Sequence, residues 1–133
     1  MASIFSKIVA GDIPCYKIYE SEKFLAFLDI APMSEGHTLV IPKAEVDYIF
    51  DVDDTTLAEM MLVSKKIAKG IEKVVPCKRV GVAVIGLEVP HAHIHLIPIN
   101  KESDMLFNKQ KLQLSKEEMS ELCDKISKAI IND

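Results

Sequence analysis

The chain has few of the residues and patterns that mark membrane, disulfide-rich or nucleic-acid-binding proteins. Tryptophan is absent, and the 133 residues contain only 3 cysteines and 4 histidines. No apolar run approaches the roughly eighteen residues that cross a bilayer, so we expect no membrane partner. Cys15, Cys77 and Cys123 are odd in number and widely separated, which favours reduced thiols over a disulfide framework and predicts a cytoplasmic protein.

The chain also lacks an excess of positive charge. Its 16 Lys and Arg residues are outnumbered by 20 Asp and Glu residues, which gives a formal net charge of −4. Nucleic acids are bound mainly by clustered basic side chains that displace counterions. We therefore expect no nucleic-acid partner, although a small charged substrate is compatible with this composition.

The length and composition are those of a globular protein. Hydrophobic residues make up 49% of the chain and charged residues 27%, unlike the polar, highly charged composition of a disordered chain. A chain of this size buries roughly two-thirds of its unfolded surface on folding. We predict a single domain over residues 1–133.

Apolar periodicity predicts helices, and short alternating or apolar runs predict strands. The predicted helices cover residues 3–10, 56–74 and about 115–131, and the predicted strands cover residues 16–19, 24–28, 37–41, 79–85 and 92–99. Capping boxes are predicted from Thr56 with Glu59 and from Ser115 with Glu118. The last helix should bury Met119, Leu122, Ile126 and Ile130. Residues 100–113 are polar and poorly periodic, which predicts a connection that crosses either a partner or the site.

Most of the histidines lie in one short run. His91, His93 and His95 alternate with Ala92 and Ile94, and these are 3 of the 4 histidines in the chain. Alternate side chains of a strand share a face, so we expect three imidazoles on one face of the sheet. A single outward-facing histidine needs no functional explanation, but three in register in this chain favour a functional site.

Clustered imidazoles suit either metal ligation or nucleophilic and acid–base catalysis. Positions i and i+4 of a strand lie roughly 13 Å apart, whereas Zn–N bonds are about 2 Å, so His91 and His95 cannot easily share one ion. A His-x-His pair with His37 leaves a metal site open, but no acidic residue that would orient such ligands is recognisable nearby. A neutral imidazole is a nucleophile toward phosphorus when its other nitrogen is fixed as a donor, which favours the central His93 as the attacking residue.

The histidine run is one of several motifs that resemble a known family. HAHIHLIPI resembles the signature of the histidine triad (HIT) superfamily, and IFSKIVAGDIP, FLAFLDIAPMSEGHTLVIPK and MLVSKKIAK resemble the corresponding parts of its Hint-like branch. The resemblance covers roughly residues 3–99, in the family's order and approximate spacing. It implies an α+β HIT-like fold, with an antiparallel sheet of about five strands, a main helix and a C-terminal helix. It also implies a homodimer whose sheet continues between subunits.

The resemblance further implies a bacterial-type HIT family hydrolase or transferase that uses no cofactor or metal. It would cleave a nucleotide conjugate at the α-phosphate through a nucleotidyl-histidine intermediate, most simply as a purine nucleoside phosphoramidase. The nucleophile would be His93, while His91, His95 and His37 would orient it or contact the phosphate. Asp29 would bind ribose hydroxyls, and the residues implied at the apolar nucleotide-binding slot are Ile4, Phe5, Ile8, Phe27, Ile30 and Val89.

The chain departs from the family's pattern just before the histidine run. A Gly-Gln-Ser/Thr segment is common there, whereas this chain has Gly86-Leu87-Glu88-Val89-Pro90. Leu87 cannot hydrogen-bond to a phosphate, and an ionised Glu88 would repel one unless it faces away. The polar contacts that position the phosphate are therefore in question.

A second departure concerns a structural zinc site that many bacterial members bear. Ser3, Ser6 and Glu45 occupy the positions of two cysteines and a histidine. Serine hydroxyls are poor zinc ligands compared with thiolates, so we expect no bound zinc.

Other functions and ordinary structural explanations stay open. The chain could be a dinucleoside polyphosphate hydrolase of the same superfamily, or a nucleotide-binding or partner-binding module with negligible turnover. The apolar slot residues could be ordinary core, His37 could cap a strand after Gly36, and Asp29 could be a turn residue.

Overall fold

Short runs of β-branched, aliphatic and aromatic side chains form the sheet. In the computed structural model, which describes residues 2–108 and 110–131, the strands are β1 (Lys17–Glu20), β2 (Phe24–Leu28), β3 (Thr38–Pro42), β4 (Arg79–Ala83) and β5 (Ile94–Ile99). Their order is β1-β2-β3-β5-β4, and each neighbouring pair is antiparallel. The predicted α+β fold with a five-stranded antiparallel sheet is confirmed.

The amphipathic segments form helices close to their predicted bounds. The helices are α1 (Ile4–Val9), α2 (Asp54–Val74) and α3 (Lys116–Ile131), and short 3₁₀ helices cover Ile49–Asp51 and Glu102–Met105. None of the helices in the described ranges is long and apolar enough to cross a membrane. The cysteines Cys15, Cys77 and Cys123 are free thiols, as predicted.

One of the two predicted helix caps is wrong. Helix α2 begins after Asp53, whose carboxylate accepts a hydrogen bond from the Thr56 amide at 3.1 Å. An aspartate one turn before the predicted start therefore caps the helix earlier than Thr56 could. The predicted box at α3 is confirmed, because the Ser115 amide donates to Glu118 at 2.9 Å and the Glu118 amide donates to the Ser115 hydroxyl at 3.1 Å.

Both faces of the sheet are covered, which explains why every residue of β2 is buried. Side chains of a strand alternate between faces. Helices α2 and α3 cover one face, where they pack on Ala26, Leu28 and Val40, and the predicted stripe of α3 is buried there. Helix α1 lies on the other face, where Phe5 packs with Phe27 and a smaller apolar cluster.

The register of the sheet decides which face carries the polar site. His95 on β5 pairs with Leu39 on β3, and Leu39 belongs to the cluster on the α1 side. Directly paired residues point to the same face. His95 therefore points toward α1, away from the larger core formed by α2 and α3.

Strand β3 extends one residue further than predicted, through Pro42, which pairs with Phe24. Proline is tolerated at the last position of a strand because its missing N–H costs no interior ladder bond there. Its carbonyl oxygen remains available, and it becomes an acceptor for a histidine of the candidate site.

Candidate active site

A pocket of about 480 Å³ opens on the α1 side of the sheet. This volume lies in the range of pockets that bind small organic ligands. The structure brings together all the residues that the family resemblance implies for nucleotide binding, and the pocket is lined by Ile4, Phe5, Ile8, Phe27, Asp29, Ile30 and Val89. Ile30 lies at its rim with 79% of its surface exposed. His37, His93 and His95 also line the pocket, whereas His91 does not.

The three alternating histidines do not lie on one strand, which corrects the sequence prediction. Strand β5 begins at Ile94, so only His95 of the three belongs to it. His91 and His93 lie in the segment before the strand. They are brought to the site by the path of this segment and not by strand alternation.

The reason is that the backbone before β5 bonds elsewhere. The His91 amide donates to the Val89 carbonyl at 2.8 Å, and the Ala92 amide donates to the Val46 carbonyl at 2.7 Å. The first bond lies within the segment and the second connects it to the loop after β3, in place of a strand ladder. The alternating sequence pattern cannot reveal them because the acceptor at Val46 is distant in the chain.

His91 is enclosed and fully satisfied by the protein. Its side chain has no exposed surface, its Nε2 lies 2.8 Å from the Pro42 carbonyl oxygen, and its Nδ1 lies 2.9 Å from the Ser3 hydroxyl. A carbonyl oxygen can only accept, so the ring proton is on Nε2 and Nδ1 accepts from Ser3. Both ring nitrogens are thereby occupied.

The positions that replace the family's zinc ligands converge on His91. The Ser3 amide and the Ser6 hydroxyl both donate to the Glu45 carboxylate, the latter at 2.8 Å. These hydrogen bonds hold the pKa of Glu45 below its usual value. The donor set of two hydroxyls, one carboxylate and a histidine nitrogen that already accepts a hydrogen bond does not fit zinc. We call Ser3, Ser6, Glu45 and His91 the clasp.

His93 differs from His91 in having one ring nitrogen unoccupied. Its Nδ1 lies 2.7 Å from the His91 carbonyl oxygen, so Nδ1 carries the proton and Nε2 carries the lone pair. No group in the described ranges hydrogen-bonds to this Nε2, and it is not a buried unsatisfied atom. Burial lowers the pKa of His93 below its ordinary value, which favours the neutral, nucleophilic ring.

A backbone amide determines the protonation of the other two histidines. The Met33 N–H donates to His37 Nδ1 at 3.0 Å, so the proton of neutral His37 is on Nε2. His37 Nε2 lies 3.0 Å from His95 Nδ1 and donates to it, which leaves the proton of His95 on its own Nε2. Burial lowers the pKa of His37 to about 3 and that of His95 to about 4, so both rings are neutral at pH 7.

Asp29, His37 and His95 form the one group among the described residues whose spacing suits a metal, with ligand atoms within 4.8 Å of one another. Asp29 was predicted only as a ribose contact, and its closeness to the histidines was not foreseen: its Oδ2 lies 3.7 Å from His37 Nε2. A metal on His37 Nε2 would require the proton to move to Nδ1, where the Met33 N–H already donates. The hydrogen bonding therefore does not fit a metal at this group.

Two acidic residues, Asp29 and Glu88, bring negative charge to the pocket. Burial raises the pKa of Asp29, and the negative charge of Glu88 adds to this effect, while Lys111 and His93 oppose it. Glu88 is exposed at the lining of the pocket, and its charge is close enough to act on Asp29. Its neighbour Leu87 is 89% exposed and supplies no polar group.

The polar connection over residues 100–113 contributes residues that the sequence analysis missed. The ring of Phe107 lies 4.9 Å from that of His95, and both Phe107 and Lys111 line the pocket. Of the two predicted courses for this connection, it follows the one across the site. The one signal in the sequence was Phe107, the single aromatic residue in this polar stretch.

Known proteins share both the motifs and the fold of this chain. A family model for the HIT domain matches residues 10–102. An adenosine 5'-monophosphoramidase from Schizosaccharomyces pombe is 39% identical over 133 residues, which cover 98% of this chain and 99% of that protein.

Solved structures agree with this match. A histidine triad nucleotide-binding protein from Sulfolobus tokodaii superimposes with a TM-score of 0.83 at 32% identity, covering 97% of this chain and 92% of that one. A zinc-bound histidine triad family protein from Mycobacterium smegmatis superimposes with a TM-score of 0.81 at 30% identity, covering 99% and 95%. The resemblance seen in the sequence is confirmed, and the chain belongs to the histidine triad (HIT) family.

Proposed function

We propose that this protein is a nucleotide hydrolase or transferase that cleaves purine nucleoside phosphoramidates at the α-phosphate. One observation carries this proposal: His93 has Nδ1 fixed as a donor to the His91 carbonyl, while its Nε2 lone pair is unoccupied in the pocket. This arrangement is what a nucleophilic imidazole requires. The phosphoramidase name of the relative from Schizosaccharomyces pombe supports the substrate class.

In the first step, His93 Nε2 forms a bond to the α-phosphorus as the bond to the leaving group breaks. The leaving amine keeps the electron pair of the broken bond and takes up a proton from solvent water. The imidazole of His93 gains positive charge in this step, and the His91 carbonyl, which accepts its Nδ1–H at 2.7 Å, stabilises that charge.

His95 is proposed to stabilise the phosphoryl group during both steps. Its Nδ1 accepts from His37, so its Nε2–H is the group that it presents as a donor. A fixed donor aimed at a developing negative charge lowers the barrier without reorganisation. In the second step, water attacks the phosphorus of the intermediate and loses a proton to solvent. The bond from phosphorus to His93 Nε2 breaks, its electron pair returns to Nε2, and the nucleoside monophosphate is released from neutral His93.

The rest of the pocket is proposed to bind the nucleoside. Phe5 and Phe27 are in edge contact at 5.5 Å between ring centroids and form an apolar wall for the base. Asp29 is suited to the ribose, because Oδ1 already accepts from the Ala31 amide at 2.9 Å and orients the carboxylate. An apolar slot with one carboxylate is a common way to bind a nucleoside.

The covalent intermediate provides the direct test. Wild-type protein is quenched in acid-free denaturant during turnover of adenosine 5'-phosphoramidate, and the intact mass and its peptides are measured. We expect added adenosine monophosphate located on the His93 side chain, and no such adduct in His93→Ala. An adduct on another residue, or turnover with no adduct at any quench time, contradicts the proposed mechanism.

We also infer that two copies pair along β4 to form a homodimer. Strand β4 ends the sheet on one side, and Val82, Val84 and Ile85 on and after it are 49%, 39% and 46% exposed. The opposite edge, β1, carries the exposed ion pair of Lys17 and Glu20, a feature that discourages pairing. Sedimentation of wild type and Val82→Lys tests this inference, since a dimer through β4 should dissociate in the variant.

A further inference from the structure

The pocket contains more negative than positive groups. Two carboxylates, Asp29 and Glu88, line it together with three histidines. Burial lowers the pKa values of these histidines, so they bring little positive charge at neutral pH. A nucleoside monophosphate carries close to two negative charges at that pH. A positively charged side chain at the pocket would therefore favour the binding of such a ligand.

Lys111 is the one residue with a permanent positive charge among the described residues that line the pocket. It lies in the polar connection after β5, which is fastened over the site. The Leu112 amide donates to the Pro32 carbonyl at 2.8 Å, next to the loop that carries Met33 and leads to His37. The side chain of Lys111 is half-buried, so it is not a freely moving surface lysine.

The ammonium group of Lys111 is positioned on the His95 side of the pocket. Its Nζ donates to the Phe107 carbonyl at 2.6 Å and lies 5.9 Å from the centroid of the Phe107 ring. That ring is in edge contact with His95 at 4.9 Å. Lysine has three N–H donors, and the described residues use one of them. Its charge reaches the histidines, since it helps lower the pKa values of both His37 and His95.

We propose that Lys111 is the phosphate-binding cation of this site and that it gives the pocket its preference for a phosphorylated nucleoside over the free nucleoside. It acts on the same side as the His95 donor. It supplies the attraction that Leu87 and Glu88 cannot supply from the loop before the histidines. This inference rests on the proposed function, because it assumes that a nucleotide occupies the pocket.

A purely structural role for Lys111 makes a different prediction from a phosphate-binding role. If the lysine only fastens the connection through the Phe107 carbonyl, its removal disturbs the pocket for any nucleoside. If it binds phosphate, its removal affects ligands that carry phosphate and spares those that lack it. Adenosine monophosphate and adenosine differ by that group alone, so the pair separates the two roles.

The experiment measures equilibrium binding of adenosine monophosphate and adenosine by calorimetry. The proteins are wild type, Lys111→Met, Lys111→Arg and, as a matched control for loss of one charge, Lys116→Met, whose lysine is exposed at the start of α3. We expect Lys111→Met to bind adenosine monophosphate about tenfold more weakly, the size of one lost charge-assisted contact. Adenosine binding should change by less than about twofold, and Lys111→Arg should retain most of the preference.

The possible outcomes separate this proposal from the proposed function. Equal weakening of both ligands, or unchanged binding of adenosine monophosphate, overturns the role of Lys111 alone. A similar loss in Lys116→Met also overturns it, because the effect would then come from net charge. If wild-type protein binds neither ligand, the proposed function fails and this inference fails with it. Thermal unfolding of each variant, with Lys111→Gln as a second neutral substitution, shows whether folding is affected.

Discussion

The clasp and the pocket each contain a histidine of the same short segment, but the two imidazole rings differ in how the protein bonds to them. In the clasp, His91 has no exposed surface and hydrogen bonds from the protein occupy both of its ring nitrogens. In the pocket, His93 is two residues away and 6% exposed, with one nitrogen bonded and the other unoccupied. The comparison teaches that a histidine here has a ring nitrogen available to a ligand only where the protein leaves that nitrogen without a hydrogen-bond partner.

A backbone group connects the two regions. The carbonyl of His91 accepts the Nδ1–H of His93 at 2.7 Å. Because the ring of His91 is fixed by Ser3 and Pro42, the position of that carbonyl is fixed as well. The clasp therefore orients the ring of His93, the proposed nucleophile, although His91 does not line the pocket.

The largest expected effect is the loss of turnover on replacement of His93. We expect His93→Ala to lower turnover of adenosine 5'-phosphoramidate by at least about 10⁴-fold, as for loss of a nucleophile in other covalent enzymes. The unfolding free energy should fall by about 1 to 2 kcal/mol, less than for His91→Ala, because one hydrogen bond and the edge contacts with Phe5 and His95 are lost beside an open pocket. Steady-state kinetics and urea unfolding check both values, and a variant with wild-type turnover would remove the distinction between the regions.

Replacement of His91 in the clasp should instead affect mainly the stability of the protein. We expect His91→Ala to lower the unfolding free energy by about 3 kcal/mol, since it leaves a cavity and two buried groups, the Ser3 hydroxyl and the Pro42 carbonyl, without their partner. Urea unfolding measures this loss. The comparison breaks if His91→Ala is as stable as wild type while His93→Ala is strongly destabilised.

Acid should destabilise the pocket side through its buried neutral rings. The folded pKa values of His37 and His95, about 3 and about 4, lie below the ordinary value of 6.5. The unfolded chain then binds more protons, so their contribution is complete above pH 6.5 and is lost as pH falls toward 4. The expected slope is about 1.4 kcal/mol per pH unit for each histidine below pH 6.5.

Urea unfolding at several pH values between 7 and 4.5 measures that slope. His37→Asn, which removes one of the three histidines whose pKa values burial lowers, should make this slope shallower. Stability that is flat across the range would show that these rings do not resist protonation.

The smallest expected effect distinguishes the two helix-capping serines. Ser3 caps α1 and also donates to buried His91, whereas Ser115 caps α3 and contacts no histidine. Replacing a capping serine with alanine typically costs about 1 kcal/mol. We expect Ser3→Ala to cost about 1 kcal/mol more than Ser115→Ala, because it leaves His91 Nδ1 without a donor. Equal losses in thermal or urea unfolding would show that the clasp adds nothing beyond the cap.

Local sequence patterns predicted most of the fold. Both bounds of β2 and the capping box of α3 are as predicted, since they depend on residues that are close in the chain. The pattern failed where a distant group decides the structure. Strand β5 starts late because the Ala92 amide bonds to the Val46 carbonyl, which lies in another part of the chain.

The candidate site shows the same limit. The motif pointed to the histidines and to the apolar slot, and the structure places His37, His93 and His95 together in the pocket. It did not reveal Lys111, because its position depends on the path of a connection with no periodic pattern. The tautomers of the pocket histidines could not be predicted from the sequence either, since they depend on backbone groups whose orientation only the fold determines.

The Met33 amide has a consequence that reaches across two rings. A peptide N–H can only donate a hydrogen bond. The hydrogen bonds from Met33 to His37 and from His37 to His95 therefore have the same donor-to-acceptor direction. Every substitution at this position except proline preserves that N–H. The main chain therefore determines that neutral His95 presents a donor to the pocket. Replacement of the Met33 side chain by that of any residue other than proline leaves this donor unchanged.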